Sequence, residues 1–191
     1  SKQWVKYEEE YAKDKLKKLR QMRKKDIYNS SSDYNIRTRQ NCNIIYENDS
    51  FRTLNDNIKK EESYQQMIRN GHFSMNGTLH LFSPKFYQIM KNIEKFIDKG
   101  IPTGKILYYS DFRHDSGSEV FEHILIQNGY EKYDSEKEPI DKLIAKQSIK
   151  KRYTFITGKE LQEQRRINKE AFNHKENLYG EYIHIILTQR L

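Results

Sequence analysis

The sequence predicts an α/β fold built on a parallel sheet, and three segments carry that prediction. Gly104-Lys-Ile-Leu-Tyr-Tyr-Ser-Asp-Phe-Arg113 reads as a short buried strand ending in a polar cluster. Ser116-Gly117 then leads into a helix with apolar residues at Val120, Phe121, Ile124 and Leu125. Tyr153-Thr-Phe-Ile-Thr157 repeats the plan, breaking at Gly158 into a helix from about Lys159 to Phe172. Glu181-Tyr-Ile-His-Ile-Ile-Leu-Thr188 supplies a third strand. Strands alternating with helices in this way form right-handed crossovers and a parallel sheet. A strand that turns through Ser and Gly into a helix also makes a site at its carboxyl end, where backbone N–H groups of the helix start can meet an anion.

Composition bounds the rest. At 191 residues the chain suits one domain with extensions, or one and a half domains. Hydrophobic residues make up 35% and charged residues 32%, with a mean hydropathy of -1.03, so the core is modest and concentrated in a few segments. With 14 Tyr and 9 Phe, tyrosine carries much of the apolar surface. A net charge of +8 favours a polyanionic partner. The single cysteine, Cys42, excludes an internal disulfide and a cysteine-based zinc site. No apolar run has the length of a membrane span and no signal peptide is visible, so the expected compartment is aqueous and reducing.

Before the sheet, the chain reads as an arm. Residues 4–25 have helical character, with Trp4, Tyr7, Tyr11, Ala12, Leu16, Leu19 and Met22 approximating an apolar stripe among basic residues. The stripe reads either as a solvated helix packing on a neighbour or as a helix contacting nucleic acid. Tyr34 to Tyr46 looks extended, and residues 48–80 read as a polar, irregular insertion. Ser83-Pro84 starts a helix, as an N-cap followed by proline at the first helical position. Phe86, Met90, Ile93, Phe96 and Ile97 line one side of it, and it ends near Gly100. After the helix at 117–128, stopped by Asn128-Gly129, come a charged connection over 134–150 and a short helix around Ile140–Ala145. The third strand ends the chain without its next helix, which suggests truncation.

In these residues the chain resembles the C-terminal RecA-like lobe of superfamily 2, SNF2-like helicases, in the branch of the large nucleocytoplasmic DNA viruses with the poxvirus-type nucleoside triphosphatase and early transcription factor ATPase. Arg37-Thr-Arg-Gln-Asn-Cys-Asn43 is similar to a Ser/Thr-Arg-Gln-x-Cys-Asn segment ahead of that lobe. Ser83-Pro-Lys-Phe86 with Asn92-Ile93 resembles the helix before motif IV, and Leu107-Tyr-Tyr-Ser-Asp-Phe-Arg113 resembles motif IV itself, followed by Gly117, Ile124-Leu125 and Asn128-Gly-Tyr130. Phe155-Ile-Thr-Gly158 with Arg165, Asn168 and Phe172-Asn173 is similar to the motif IVa region, and Gly180 to Leu187 falls where the strand into motif V belongs. The resemblance implies a RecA-like parallel sheet flanked by helices over 83–191, preceded by a helical and extended arm over 1–82. It implies a lobe that grips the phosphate backbone of DNA, with RNA possible, during ATP-driven translocation, in a virion or host cytoplasm. ATP and magnesium belong to the parent protein, on an ATP-binding lobe of the same or another chain.

The departures are as informative. Thr188-Gln-Arg-Leu191 stands where a glycine-rich motif V belongs, and motif VI with its arginine finger is missing. Gly104-Lys105 is followed by Ile and Gly158-Lys159 by Glu, so neither is a Walker loop, and no acidic metal box is present. These residues alone are therefore expected to be catalytically silent, to bind no cofactor and to hold no metal.

Backbone gripping needs hydroxyls, backbone N–H groups and cations at strand ends and helix starts. Ser110, Arg113, Ser116 and Gly117 form one such station, and Thr157, Gly158 and Arg165 a second. For Ser110 the competing role is a turn-capping hydroxyl; for Arg113 it is an ion pair with Glu119 or Asp115. Rival chemistries are disfavoured. Asp111, His114 and Asp115 are too close in sequence to Ser110 and Ser116 for a hydrolase triad, and no Gly-x-Ser-x-Gly elbow exists. The six histidines are scattered, with no i,i+4 pair, and a GxGxxG dinucleotide fingerprint is missing. The alternative is a stand-alone, non-enzymatic nucleic-acid-binding or scaffold protein that keeps a degenerate helicase lobe.

Overall fold

The computed structural model describes residues 2–23, 36–46, 57–114 and 116–189. They fall into two compact units, Ser1–Gln88 and Ile89–Leu191, divided within one helix.

The first unit holds α1 (Lys2–Arg23), α2 (Ile36–Asn41), α3 (Asn57–Arg69), α4 (Leu79–Phe82) and the start of α5 (Pro84–Glu94). Its core gathers Ile44, Ile45, Tyr46, Tyr64, Met67, Phe73, Leu79, Phe82 and Phe86. Of the 34–46 segment, expected to be extended, residues 34 and 35 lie outside the described residues; the rest instead starts with α2, and the turn continues through Cys42 N–H to Thr38 O (3.1 Å) and Ile44 N–H to Gln40 O (3.1 Å). The Thr38 hydroxyl donates to Asp14 Oδ2 of α1 at 2.5 Å, a tertiary contact that local propensity does not register. Ile44–Tyr46 is buried as an irregular run, with Ile45 N–H donating to Phe82 O rather than to a strand.

The expected insertion at 48–80 is ordered over its described part. Tyr64 and Met67 sit three apart on α3, too few apolar positions to make a periodic signal. A tight turn then folds Phe73 and Leu79 back into the core. Gly71 has φ +70, and a Cβ on Gly77 would meet Gly71 O at 2.2 Å, so both positions require glycine. The Ser83-Pro84 start of α5 forms as its sequence predicts: Phe86 N–H donates to Ser83 Oγ at 3.0 Å, and that hydroxyl donates to Asn43 O.

The second unit opens with a hairpin of β1 (Ile97–Asp98) and β2 (Ile101–Pro102), where the sequence predicts a helix running to Gly100. Lys99 and Gly100 both have positive φ (48° and 84°), which is the two-residue turn that matches strand twist. Then follow β3 (Ile106–Tyr109), α6 (Ser118–Gln127), β4 (Glu131–Lys132), α7 (Ile140–Ala145), β5 (Arg152–Ile156), α8 (Gln162–Phe172), a 3-10 turn at Lys175–Asn177 and β6 (Ile185–Thr188). The four strands β3 to β6 form one parallel sheet in the order β3-β6-β5-β4. The chain is thus mixed α/β, with a parallel sheet flanked by helices.

Register assigns the faces. Ile106, Ile185 and Tyr153 lie in one row, and Tyr108, Leu187 and Phe155 in the next. Tyr108 stacks on Phe121 (4.2 Å) and Tyr153 donates its hydroxyl to Glu122 (2.9 Å), which places α6 on this face. The β3-to-β4 connection crosses the sheet one way, whereas β4-to-β5 and β5-to-β6 return, so right-handed crossovers put α7 and α8 on the opposite face. There Leu143, Ala171, Tyr182 and Ile183 pack with Tyr133.

The third strand begins later than its apolar run, because Tyr182 and Ile183 are claimed by a side chain. Asn177 is fully buried and uses both ends of its amide. Its Nδ2 donates to Phe172 O (2.9 Å) and Ile183 O (3.0 Å), while Oδ1 accepts from Tyr182 N–H (2.9 Å) and Ile183 N–H (3.0 Å). Asn177→Ala removes the partner of four backbone groups, three of those bonds being buried, and should cost at least about 3 kcal/mol in a urea titration, since each buried group left unpaired costs about 1–3 kcal/mol.

His184, next in the chain, is fully buried, with Nδ1 2.9 Å from the Tyr130 hydroxyl. Burial, with help from the Lys151 charge and against the Gly104 carbonyl, lowers its pKa from 6.5 to about 4. A histidine held neutral stabilises the fold fully above its unfolded pKa, and that contribution is lost as pH falls from 6.5 toward 4. Stability should therefore drop by about 2 kcal/mol between about pH 7 and 5, and His184→Gln should flatten this dependence in denaturant titrations.

Candidate functional site

The carboxyl end of the sheet is where the two sequence-predicted stations lie, and the strand order brings them together. The chain leaves β3 toward α6 on one face and leaves β5 toward α8 on the other, with β6 between. In open α/β sheets, ligand sites fall at the carboxyl ends of strands whose connections diverge to opposite faces, and here that place is the end of β6, at Thr188.

Between the two loops Arg113 Nη1 donates to Thr157 Oγ1 at 3.3 Å. Glu119, on the first turn of α6, takes up three partners: Arg113 Nε (3.3 Å), His114 Nδ1 (2.7 Å) and Lys159 Nζ (3.3 Å). Of the two alternatives that the sequence offers for Arg113, the Glu119 pair forms; Asp115 lies outside the described residues. Thr157 is held in turn by Glu160, whose Oε2 accepts from the Thr157 N–H and hydroxyl, each at 2.7 Å.

Two loops are thus laced by alternating charge. Burial acts to raise the Glu119 carboxyl, but hydrogen bonds and charge from His114 and Lys159 outweigh it and hold it below the usual carboxylate range. Glu160 follows the same pattern: burial raises it, and the Thr157 hydroxyl and N–H, with the Arg113 charge, bring it down. Both carboxylates remain ionised at neutral pH, so they offset Arg113 and Lys159.

Ser110 is buried beside β6, its N–H donating to Thr188 O (3.1 Å), and its Oγ accepts from Phe112 N–H (3.2 Å), which is the turn-capping geometry. Gly117 is sterically required, because a Cβ there would stand 1.7 Å from Phe112 O. That close approach lets Ser118 N–H reach Phe112 O (3.2 Å) and Glu119 N–H reach Arg113 O (3.1 Å). Two first-turn donors of α6 are therefore satisfied by the chain itself. Ser116 is fully buried next to them, whereas Gly158 is exposed with open space around it. Arg165 lies on α8 with its Nε buried and no hydrogen-bond partner, and no hydrogen bond or ion pair joins it to the Arg113–Thr157 cluster. Its neighbour Arg166 pairs on the helix surface with Glu163 (2.6 Å) and Glu170 (2.5 Å).

Sequence reasoning passed over Lys159 and Glu160. Their signal was position alone, directly after a strand end and a glycine. Gln189 is a third such residue, following β6 with a buried Oε1 that has no hydrogen-bond partner. Among the described residues, no group of three or more His, Cys, Asp or Glu could hold a metal ion, and no helix is long and apolar enough to cross a membrane.

Comparison with known proteins adds no relative. No family model matches the chain, and neither a curated protein nor a solved structure matches it.

Because the Glu119 and Glu160 pKa values are depressed in the fold, each carboxylate contributes stability above the ordinary value of 4.5 and loses it as pH falls below that. Glu119→Gln should cost about 1 kcal/mol at neutral pH, a figure kept small because the pairs are partly solvated. Thermal melts across pH should show the gap from the unaltered protein closing on acidification below 4.5.

Proposed function

We propose that this chain is a nucleic-acid-binding lobe of RecA-like type, from an SNF2-like viral helicase or nucleic-acid-dependent ATPase, that tracks the phosphate backbone at the carboxyl end of its sheet. The observation that carries the reading is the Arg113–Thr157 hydrogen bond, which makes one locus of two loops that the sequence resemblance treats as separate motifs. Further support comes from the strand order. With its first strand beside its last, the sheet departs from the 3-2-1 half of a dinucleotide-binding fold and from the flavodoxin order, and suits a RecA-like sheet.

In this reading Lys159, whose ammonium is largely exposed, and Arg113 meet phosphate oxygens, and Ser110 and Thr157 fix the loops that carry them. Such contacts position a backbone and carry no sequence information. In the resemblance ATP and magnesium belong to a different lobe, in keeping with the lack of a Gly-Lys-Ser/Thr loop in this sequence. Their place would be on another lobe, in the same chain or a partner.

The second reading, a non-enzymatic binding or scaffold protein, draws on Glu119. By holding Arg113 and Lys159 at once, with His114 as a further hydrogen-bond partner, this carboxylate satisfies both cations internally, as a purely structural network would.

Fluorescence anisotropy with a labelled duplex and a labelled single strand, over a range of salt, tests the binding locus. Affinity should fall linearly on logarithmic axes, and Lys159→Ala should shallow the slope by about 0.9 on the duplex, as expected for one lost phosphate contact. Glu119→Gln should tighten binding by unmasking two cations. Salt-insensitive binding, or binding indifferent to Lys159, would remove the backbone-tracking reading.

A further inference from the structure

Helix α1 is docked inside out. Its polar residues Gln3, Lys6, Glu10 and Asp14, spaced three and four apart, share one face and are half-buried. That face is fastened to the segment 38–41. Gln3 Nε2 donates to Asn41 O (2.7 Å), Asn41 Nδ2 to Lys6 O (3.4 Å), and the Thr38 hydroxyl to Asp14. The apolar stripe consequently points outward, with Trp4 59%, Val5 54%, Tyr11 49%, Leu16 56% and Leu19 50% exposed. Together with Ala12 they span an arc of about 140° at 100° per residue, wide enough to seat a second helix.

Charge within the arc chooses the occupant. Glu9 and Glu10 are paired along the helix with Lys6 and Lys13. Glu8 and Lys15 lie inside the apolar arc, both exposed, and neither has an ion-pair partner among the described residues. On a parallel copy of α1, Glu8 would face Glu8 and Lys15 would face Lys15. On an antiparallel copy, one register sets Glu8 of each helix against Lys15 of the other. The same register sets Trp4 near Leu19 and Tyr11 near Ala12, a large residue against a smaller one in each case. A surface that completes its own charges only when turned end for end is self-complementary, as a two-fold interface requires.

We propose that α1 is a homodimerisation helix, pairing antiparallel with α1 of a second copy through Trp4, Val5, Tyr11, Leu16 and Leu19, with reciprocal Glu8–Lys15 ion pairs fixing the register. Large apolar anchors supply the affinity, and the ion pairs at the seam select the orientation. This surface is independent of the sheet site and of the reading given to that site.

Sedimentation equilibrium on the full chain, from about 1 to 100 μM, tests it. The expected result is a reversible monomer–dimer equilibrium that Leu16→Glu with Leu19→Glu shifts to monomer, with helicity by circular dichroism retained. Glu8→Lys alone should weaken the dimer about tenfold, equivalent to roughly 1.4 kcal/mol, as should Lys15→Glu alone. Combining the two exchanges should restore it, which a merely destabilised helix would not do. A protein that is monomeric throughout the range overturns the proposal, as does a dimer indifferent to Leu16 and Leu19. Failure of the double exchange to rescue overturns the antiparallel register. Loss of vesicle or nucleic-acid binding in the leucine variant of a monomeric protein would assign the face to that other occupant.

Discussion

The parallel sheet depends on how the chain enters β6. That strand is interior, paired with β3 on one side and β5 on the other, so an error in its register would displace both neighbours and the loops beyond them. Asn177 sets the entry. It bonds the end of α8 and the two residues that approach β6, at a point where no ladder bonds yet exist. Only a primary amide offers two donors and two acceptor lone pairs in one plane, so neither Asp nor Leu can substitute for it. Arg152, buried at the start of β5, reinforces the same corner by donating to Ser148 O and to Tyr182 O. The polar groups inside this unit thus fix a geometry that its short strands alone would leave loose.

That geometry carries through to the carboxyl end. Because β6 lies between them, the loops after β3 and β5 are brought within one side-chain length, and a guanidinium can bridge them. The carboxylates of Glu119 and Glu160 keep the bridge in place and at the same time cancel its charge. A ligand anion arriving here has to compete with carboxylates that are already ionised and already hydrogen-bonded. In the proposed reading the site would be preorganised in shape and restrained in affinity, a combination suited to contacts that form and release repeatedly.

Most of the second unit was legible in the sequence. The strands over 106–109 and 152–156, the helix over 118–127 and the short helix at Ile140–Ala145 follow from apolar runs bounded by Gly, Asn and Pro. What escaped was set by contacts between distant residues. The hairpin at 97–102 hides in a continuation of helical periodicity, and only Lys99 with Gly100 betrays the turn. Residues 57–82 bury side chains too sparsely to show a period, and the Gly71–Gly77 turn that gathers them is a three-dimensional requirement. At the site, Ser110, Arg113 and Thr157 were visible as strand-end polar residues. The Glu119 pair with Arg113 was one of two that the sequence offered, whereas the parts played by Lys159 and Glu160 were not visible, because a charged residue just after a strand end has no distinguishing pattern. Periodicity likewise revealed the α1 stripe without revealing which side would be buried, since hydrogen bonds from Gln3, Asn41 and Thr38 decided that.

Charge shows the same division between what a composition can say and what a fold can say. The chain carries an excess of eight positive charges. Within 2–23 there are eight basic residues and four acidic ones, so α1 alone accounts for half of that excess. At the sheet's carboxyl end, Arg113 and Lys159 are matched by Glu119 and Glu160, and the local balance is close to neutral. A polyanion drawn by net charge would therefore find more of it on α1 than at the carboxyl end of the sheet. If the carboxyl end of the sheet holds a phosphate backbone, as proposed, its selectivity rests on the spacing of loops and hydroxyls rather than on accumulated charge. Net charge thus bears on how a polyanion would approach, and the Arg113–Thr157 geometry on where the proposed contact would lie.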